Sequence, residues 1–110
     1  MAQNRGFIMK SNKIYERKEY IIIKVRNGYI VYNTNKIFEE GHTHLKCYNA
    51  AKTAIDLAIK KKIPRSHSLY FLTSLIRISN DINYIKNINT IINTRNRKYP
   101  KEKYINFKNN

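Results

Sequence analysis

Two runs of β-branched and aromatic residues, Tyr20-Ile21-Ile22-Ile23-Lys24-Val25 and Tyr29-Ile30-Val31-Tyr32, flank Asn27-Gly28. Such residues suit a pleated, half-buried surface. Asn-Gly tolerates the positive φ that a type I′ turn needs at both central positions, so the spacing predicts a β-hairpin. Thr34-Asn35 reads as a second turn and Lys36-Ile37-Phe38-Glu39 as a third short strand, because two strands alone are marginal in water. Gly41 closes that element, and the segment from His42 through Thr43, His44, Leu45, Lys46 and Cys47 to Tyr48 fits either a short strand or a loop.

Beyond Asn49, a good N-cap, the apolar period changes from two to between three and four. Ala51, Ala54, Ile55, Ala58 and Ile59 form a stripe over residues 50–62, and Pro64 stops that helix. Ser66 or His67 opens a second helical run, with Leu69, Leu72, Leu75 and Ile76 on one face. Ser79 or Asn80 caps a third over residues 81–94, where Ile82, Ile85, Ile88, Ile91 and Ile92 recur. The last two runs fit one bent helix or two. The fold class is therefore α+β: an N-terminal hairpin or small three-stranded antiparallel sheet, followed by two or three helices packed on one face. Residues 19–94 make one domain, between a basic arm over 1–18 and a basic, aromatic tail over 95–110. The Ile-rich last run offers more apolar face than one small sheet covers, which leaves room for a homodimer.

Charge sharpens this outline. The chain of 110 residues carries 22 Lys+Arg against 7 Asp+Glu, a net +15. Ile (18), Asn (15) and Lys (15) mark an AT-rich coding sequence, which accounts for lysine better than for the shortage of acids. A positive field over so small a surface favours polyanions, nucleic acid first. The apolar run Gly6-Phe7-Ile8-Met9 is too short for a signal peptide or a membrane span, and the single Cys47 permits no internal disulfide. Both point to a soluble cytoplasmic protein with no membrane partner, and Cys47 reads as a small buried hydrophobe.

The candidate contacts with nucleic acid or a partner fall into three groups. Lys24 and Arg26 lie near the hairpin tip; Lys60, Lys61, Lys62 and Arg65 surround the first helix end. Arg95, Arg97, Lys98, Tyr99, Lys101, Lys103 and Tyr104 crowd the tail. Cations neutralise phosphates, and tyrosines stack on unpaired bases for about 1–3 kcal/mol each. A secondary site centres on His42 and His44, which face one side of a strand. Without the spacing of a zinc motif they imply no metal, and no cofactor is expected, because the three glycines form no phosphate loop. Arg77 is placed to pair with Asp81 at i,i+4. With no evident catalytic set, binding without catalysis is the expectation, and a small histidine-dependent nuclease is the residual enzymatic one.

The phrases Gly28-Tyr29-Ile30-Val31-Tyr32-Asn33, Phe38-Glu39-Glu40-Gly41-His42-Thr43-His44, Ile63-Pro64 and Ser74-Leu75-Ile76-Arg77-Ile78-Ser79 are similar to those of short proteins encoded on phages, plasmids and conjugative elements of AT-rich Gram-positive bacteria. The resemblance spans roughly residues 20–85. It carries no catalytic signature, so no functional residue transfers with it. It implies a mobile-element protein in a bacterial host, and two function classes suit this chain. One is an anti-CRISPR inhibitor acting on a CRISPR effector ribonucleoprotein, whose basic charge excludes DNA mimicry. The other is a winged-helix-like DNA-binding accessory or regulatory protein of a plasmid or phage.

Overall fold

The structure, a computed structural model, describes residues 12–64 and 67–98, with side chains described as far as Arg95. Its sheet is a four-stranded antiparallel meander in the order β1-β2-β3-β4: β1 Lys13–Arg17, β2 Tyr20–Val25, β3 Gly28–Asn33 and β4 His42–Leu45. A short helix α1, Phe38–Gly41, leads into β4, and three further helices follow: α2 Tyr48–Lys60, α3 Leu69–Ile78 and α4 Ile82–Lys98. The α+β class and the packing of helices on one sheet face follow the pattern of the sequence.

The predicted hairpin forms with a different turn. Val25 pairs with Gly28, so the two loop residues are Arg26 and Asn27. Neither has positive φ, which among the described non-glycine residues belongs to Lys18 and Lys61 alone. Gly28 stands at the last turn position with φ +148, where an added Cβ would lie 2.6 Å from the Leu45 carbonyl oxygen. Glycine is favoured at that position when the two central residues keep ordinary φ.

Strand β1 replaces part of the expected N-terminal arm. Ile14 bulges out between the Lys13–Ile23 and Tyr15–Ile22 pairs and is 47% exposed, while Tyr15 and Arg17 turn toward α2. Arg17 reaches Asp56 on that helix at 3.0 Å, a long-range partner that local composition does not reveal. Residues 36–39 do not form the third strand. The Tyr32 hydroxyl binds the Lys36 carbonyl, and the Gly41 N–H donates to the Ile37 carbonyl at 2.9 Å, which turns this segment into α1 and leaves the strand to His42–Leu45.

Register divides the sheet into two faces. Tyr20, Ile22, Val31 and Leu45 face the helices and pack on Ala51, Ala54, Ile55, Leu72, Leu75 and Ile88. Burying each Ile or Leu contributes about 1.5–3 kcal/mol. Ile21, Ile23, Ile30 and Tyr32 form a second buried cluster on the opposite face, so β2 and β3 are apolar on both sides.

Helix boundaries follow side-chain caps. Cys47, not Asn49, caps α2: it is exposed rather than buried, and its Sγ accepts the Ala50 N–H at 3.4 Å. The helix ends at Lys60 because Lys61 adopts a left-handed conformation, before Pro64 is reached. Ser68 caps α3, and extended Ser79 (ψ 147) separates α3 from α4, so the two runs are separate helices. The Asp81 carboxylate accepts the Tyr84 N–H at 2.9 Å to open α4, which continues past residue 94 to Lys98 and so takes in the start of the expected tail.

Candidate nucleic-acid interface

Helix α3 runs antiparallel to β4 along its outer edge. The Tyr70 hydroxyl donates to the His44 carbonyl at 2.5 Å, and Arg77 Nε donates to the His42 carbonyl at 2.7 Å. Between them, Thr43 Oγ1 and Ser74 Oγ form a buried hydroxyl pair at 2.7 Å. These side chains satisfy the outward carbonyls of the edge strand, which would otherwise pair with a foreign strand. Arg77 also donates to the Glu39 carbonyl at 2.8 Å. It therefore does not pair with Asp81: helix α3 ends at Ile78, so the i,i+4 geometry that pairing requires is lost.

Two adjoining hollows open along this seam. The larger, about 410 Å³, lies at the hairpin tip between Arg26, Asn27, Tyr29, His44, Lys46 and Tyr70. The smaller, about 250 Å³, shares His44 and Tyr70 with it and continues past Thr73 to Arg77. No carboxylate among the described residues lines either hollow. Arg26 and Lys46 are exposed, and Tyr70 is 58% exposed. Nearby, Lys24 sits 5.0 Å from the Tyr29 ring centre and donates to its neighbour's carbonyl at Val25.

His42 and His44 do share a face, with ring centres 5.2 Å apart. Their environments differ. His42 stacks on Phe38 at 4.1 Å, and its Nδ1–H donates to the Phe38 carbonyl at 2.5 Å, which leaves Nε2 as the remaining ring nitrogen. His44 lines both hollows, and burial, then His42, then Arg77 hold its pKa below the ordinary 6.5. Among the described residues, no three His, Cys, Asp or Glu side chains gather as a metal-ligand set. No helix among them is long and apolar enough to cross a membrane.

Comparisons with protein-family models, curated proteins and solved structures find no match to this chain.

The three predicted contact groups separate spatially. Helix α2 starts beside the hairpin, where Tyr48 meets Tyr29, and its 13 residues carry Lys60 to the other end of the molecule. At 1.5 Å per residue that is roughly 20 Å away. There Lys60 pairs with Asp56 at 3.4 Å and Lys61 with Asp81 at 3.7 Å, while Lys62 is exposed. Helix α4 starts at this far end and returns antiparallel to α3, so Arg95 reaches the start of α3 and donates to the His67 carbonyl at 2.7 Å. Arg97 and Lys98 continue that helix, with side chains outside the described set. Arg65, Tyr99, Lys101, Lys103 and Tyr104 lie outside the described residues altogether.

Lys24, Arg26, His44 and Arg95 thus gather toward one end. Sequence reasoning missed Lys46, Tyr29 and Tyr70, which join them only through the Tyr29–Leu45 strand pair and the passage of α3 beside β4. For Tyr29, a tyrosine at a strand end was the available signal, but one that any buried aromatic would share; Tyr70 lies in α3 and carried no such signal.

Proposed function

We propose that the chain binds nucleic acid, or a complex containing it, through the seam between β4, α3 and the hairpin tip. The observation that carries this reading is a pair of joined hollows lined by Arg26, Lys46 and Arg77, tyrosine rings and His44, with no carboxylate among the described residues on their walls. Phosphates supply the charge such a surface lacks, and bases supply faces for the rings. The proposed role is binding without catalysis: no carboxylate among the described residues lines the hollow that His42 and His44 share, and His44 serves as a contact. In the mobile-element setting that the sequence resemblance implies, a CRISPR effector ribonucleoprotein is the proposed target.

Titration against duplex DNA, single-stranded DNA and structured RNA at several salt concentrations tests the reading. Affinity should fall with salt, and Arg26→Ala with Lys46→Ala should flatten the single-strand slope by about 1.4, at about 0.7 per lost phosphate contact. Weak binding to all three at moderate salt, or an unchanged slope in the double variant, overturns the assignment. Sequence-selective duplex binding would favour the DNA-binding accessory role. Cleaved RNA that stays intact with His44→Ala would replace binding with catalysis.

A further inference from the structure

Beyond the hairpin tip, tyrosines continue across the end of the sheet. Tyr29, on the wall of the larger hollow, lies 5.7 Å from Tyr48, and Tyr48 lies 6.4 Å from Tyr15 on edge strand β1. Tyr15 in turn lines a third hollow, about 370 Å³, between β1 and α2. All three rings are half-buried, and what covers their faces is informative. Lys24 stands over Tyr29, while Lys52 stands 5.3 Å from the centre of Tyr15 and 5.4 Å from that of Tyr48. Both lysines are exposed, so each of these rings, though packed against the helix-side core, also meets an ammonium group at the surface.

We infer that the polyanion bound at this seam is single-stranded nucleic acid, its bases stacked in turn on Tyr70, Tyr29, Tyr48 and Tyr15. This inference rests on the proposed nucleic-acid binding and names the strand class and the path. A stacked base is worth about 5- to 150-fold in affinity, against about 2- to 5-fold for an exposed cation–π contact. A base therefore displaces each lysine from its ring, and the released ammonium meets the adjoining phosphate. Ring separations of 5.7 and 6.4 Å exceed the rise of about 3.4 Å per strand of a stacked helix. Bases must be splayed apart to reach successive rings, which an unpaired strand permits and a duplex forbids. The path ends within the third hollow, which Asp56 also lines while it holds Arg17 and Lys60, since a carboxylate repels the next phosphate.

The test compares a labelled single strand of about 12 nucleotides, within the range of stacking grooves, with an abasic strand of equal phosphate number and a duplex of equal length. Fluorescence anisotropy at moderate salt should give the intact strand at least about fivefold tighter binding than the abasic strand, and tighter binding than the duplex. Tyr70→Leu and Tyr48→Leu should each weaken the intact strand by about fivefold or more and leave the abasic strand unchanged, whereas Tyr48→Phe should keep wild-type affinity. Thermal melts identify any variant that has lost its fold, and Tyr70→Phe, which removes only the hydroxyl bond to the His44 carbonyl, separates the loss of that tie from the loss of the ring. Equal, salt-sensitive affinity for intact and abasic strands, or preference for the duplex, overturns the stacking path but leaves nucleic-acid binding standing. Failure to bind any of the three overturns both.

Discussion

Gly28 shows how one residue locks the geometry of the seam. Its φ of +148 is a conformation that side chains rarely adopt, and the Leu45 carbonyl occupies the place of a Cβ. The close approach sets the β3–β4 spacing beside Tyr29, and so the wall of the larger hollow. Gly28→Ala combines backbone strain with a backbone clash that no flexible side chain can relieve. It should destabilise the fold by about 1–3 kcal/mol, read as a lower urea midpoint with an unchanged m-value. A midpoint equal to wild type would mean that the turn relaxes freely and does not hold β4 in place. Asn33 works similarly at the other end of β3: fully buried, it donates to the Ile78 carbonyl at 2.8 Å and accepts the Asn35 N–H at 2.8 Å, tying the strand end to the end of α3.

Among the elements, the join of α3 to β4 depends most on single side chains. Lys36 donates to the Arg77 and Ser79 carbonyls at 2.9 Å each and so caps the end of α3, although burial lowers its pKa. Arg77 spans from α3 to two carbonyls, those of Glu39 and His42, a fork that lysine cannot reproduce. Arg77→Met leaves both carbonyls short of a donor and should cost about 1–3 kcal/mol by chemical denaturation, with faster amide exchange in β4. Unchanged exchange there would separate Arg77 from the strand. Helices α2 to α4 were legible because their apolar residues recur at helical spacing over ten or more positions. Strand β4 was not, since His-Thr-His-Leu is too short for its alternation to decide between strand and loop. The partners of Arg77 were hidden for a related reason: its true contacts are 35 and 38 residues away, whereas Asp81 was the visible local choice.

At the scale of the whole molecule, the acids divide the charge unevenly. Asp56 and Asp81 hold Arg17, Lys60 and Lys61 toward one end, while the hollows at the hairpin end have no carboxylate among their described lining residues. The total charge was legible in composition; its division was not, because it depends on which helix end each aspartate meets. His44 makes this asymmetry sensitive to pH. Its depressed pKa means that, on acidification, the unfolded chain takes up the proton first. The free protein's stability from this group is therefore full above the ordinary 6.5 and is lost as pH falls through the lower folded value. A bound phosphate acts oppositely by favouring the imidazolium, so the complex holds more protons than the free protein and affinity rises as pH falls over the same window. Between about pH 7.5 and 5.5, anisotropy titrations should show binding tighten, by no more than about tenfold per pH unit for one proton, while denaturation midpoints fall. His44→Asn should flatten both trends. If the variant keeps the full pH dependence of binding, the proton belongs to another group, and His44 is not in contact with the phosphate.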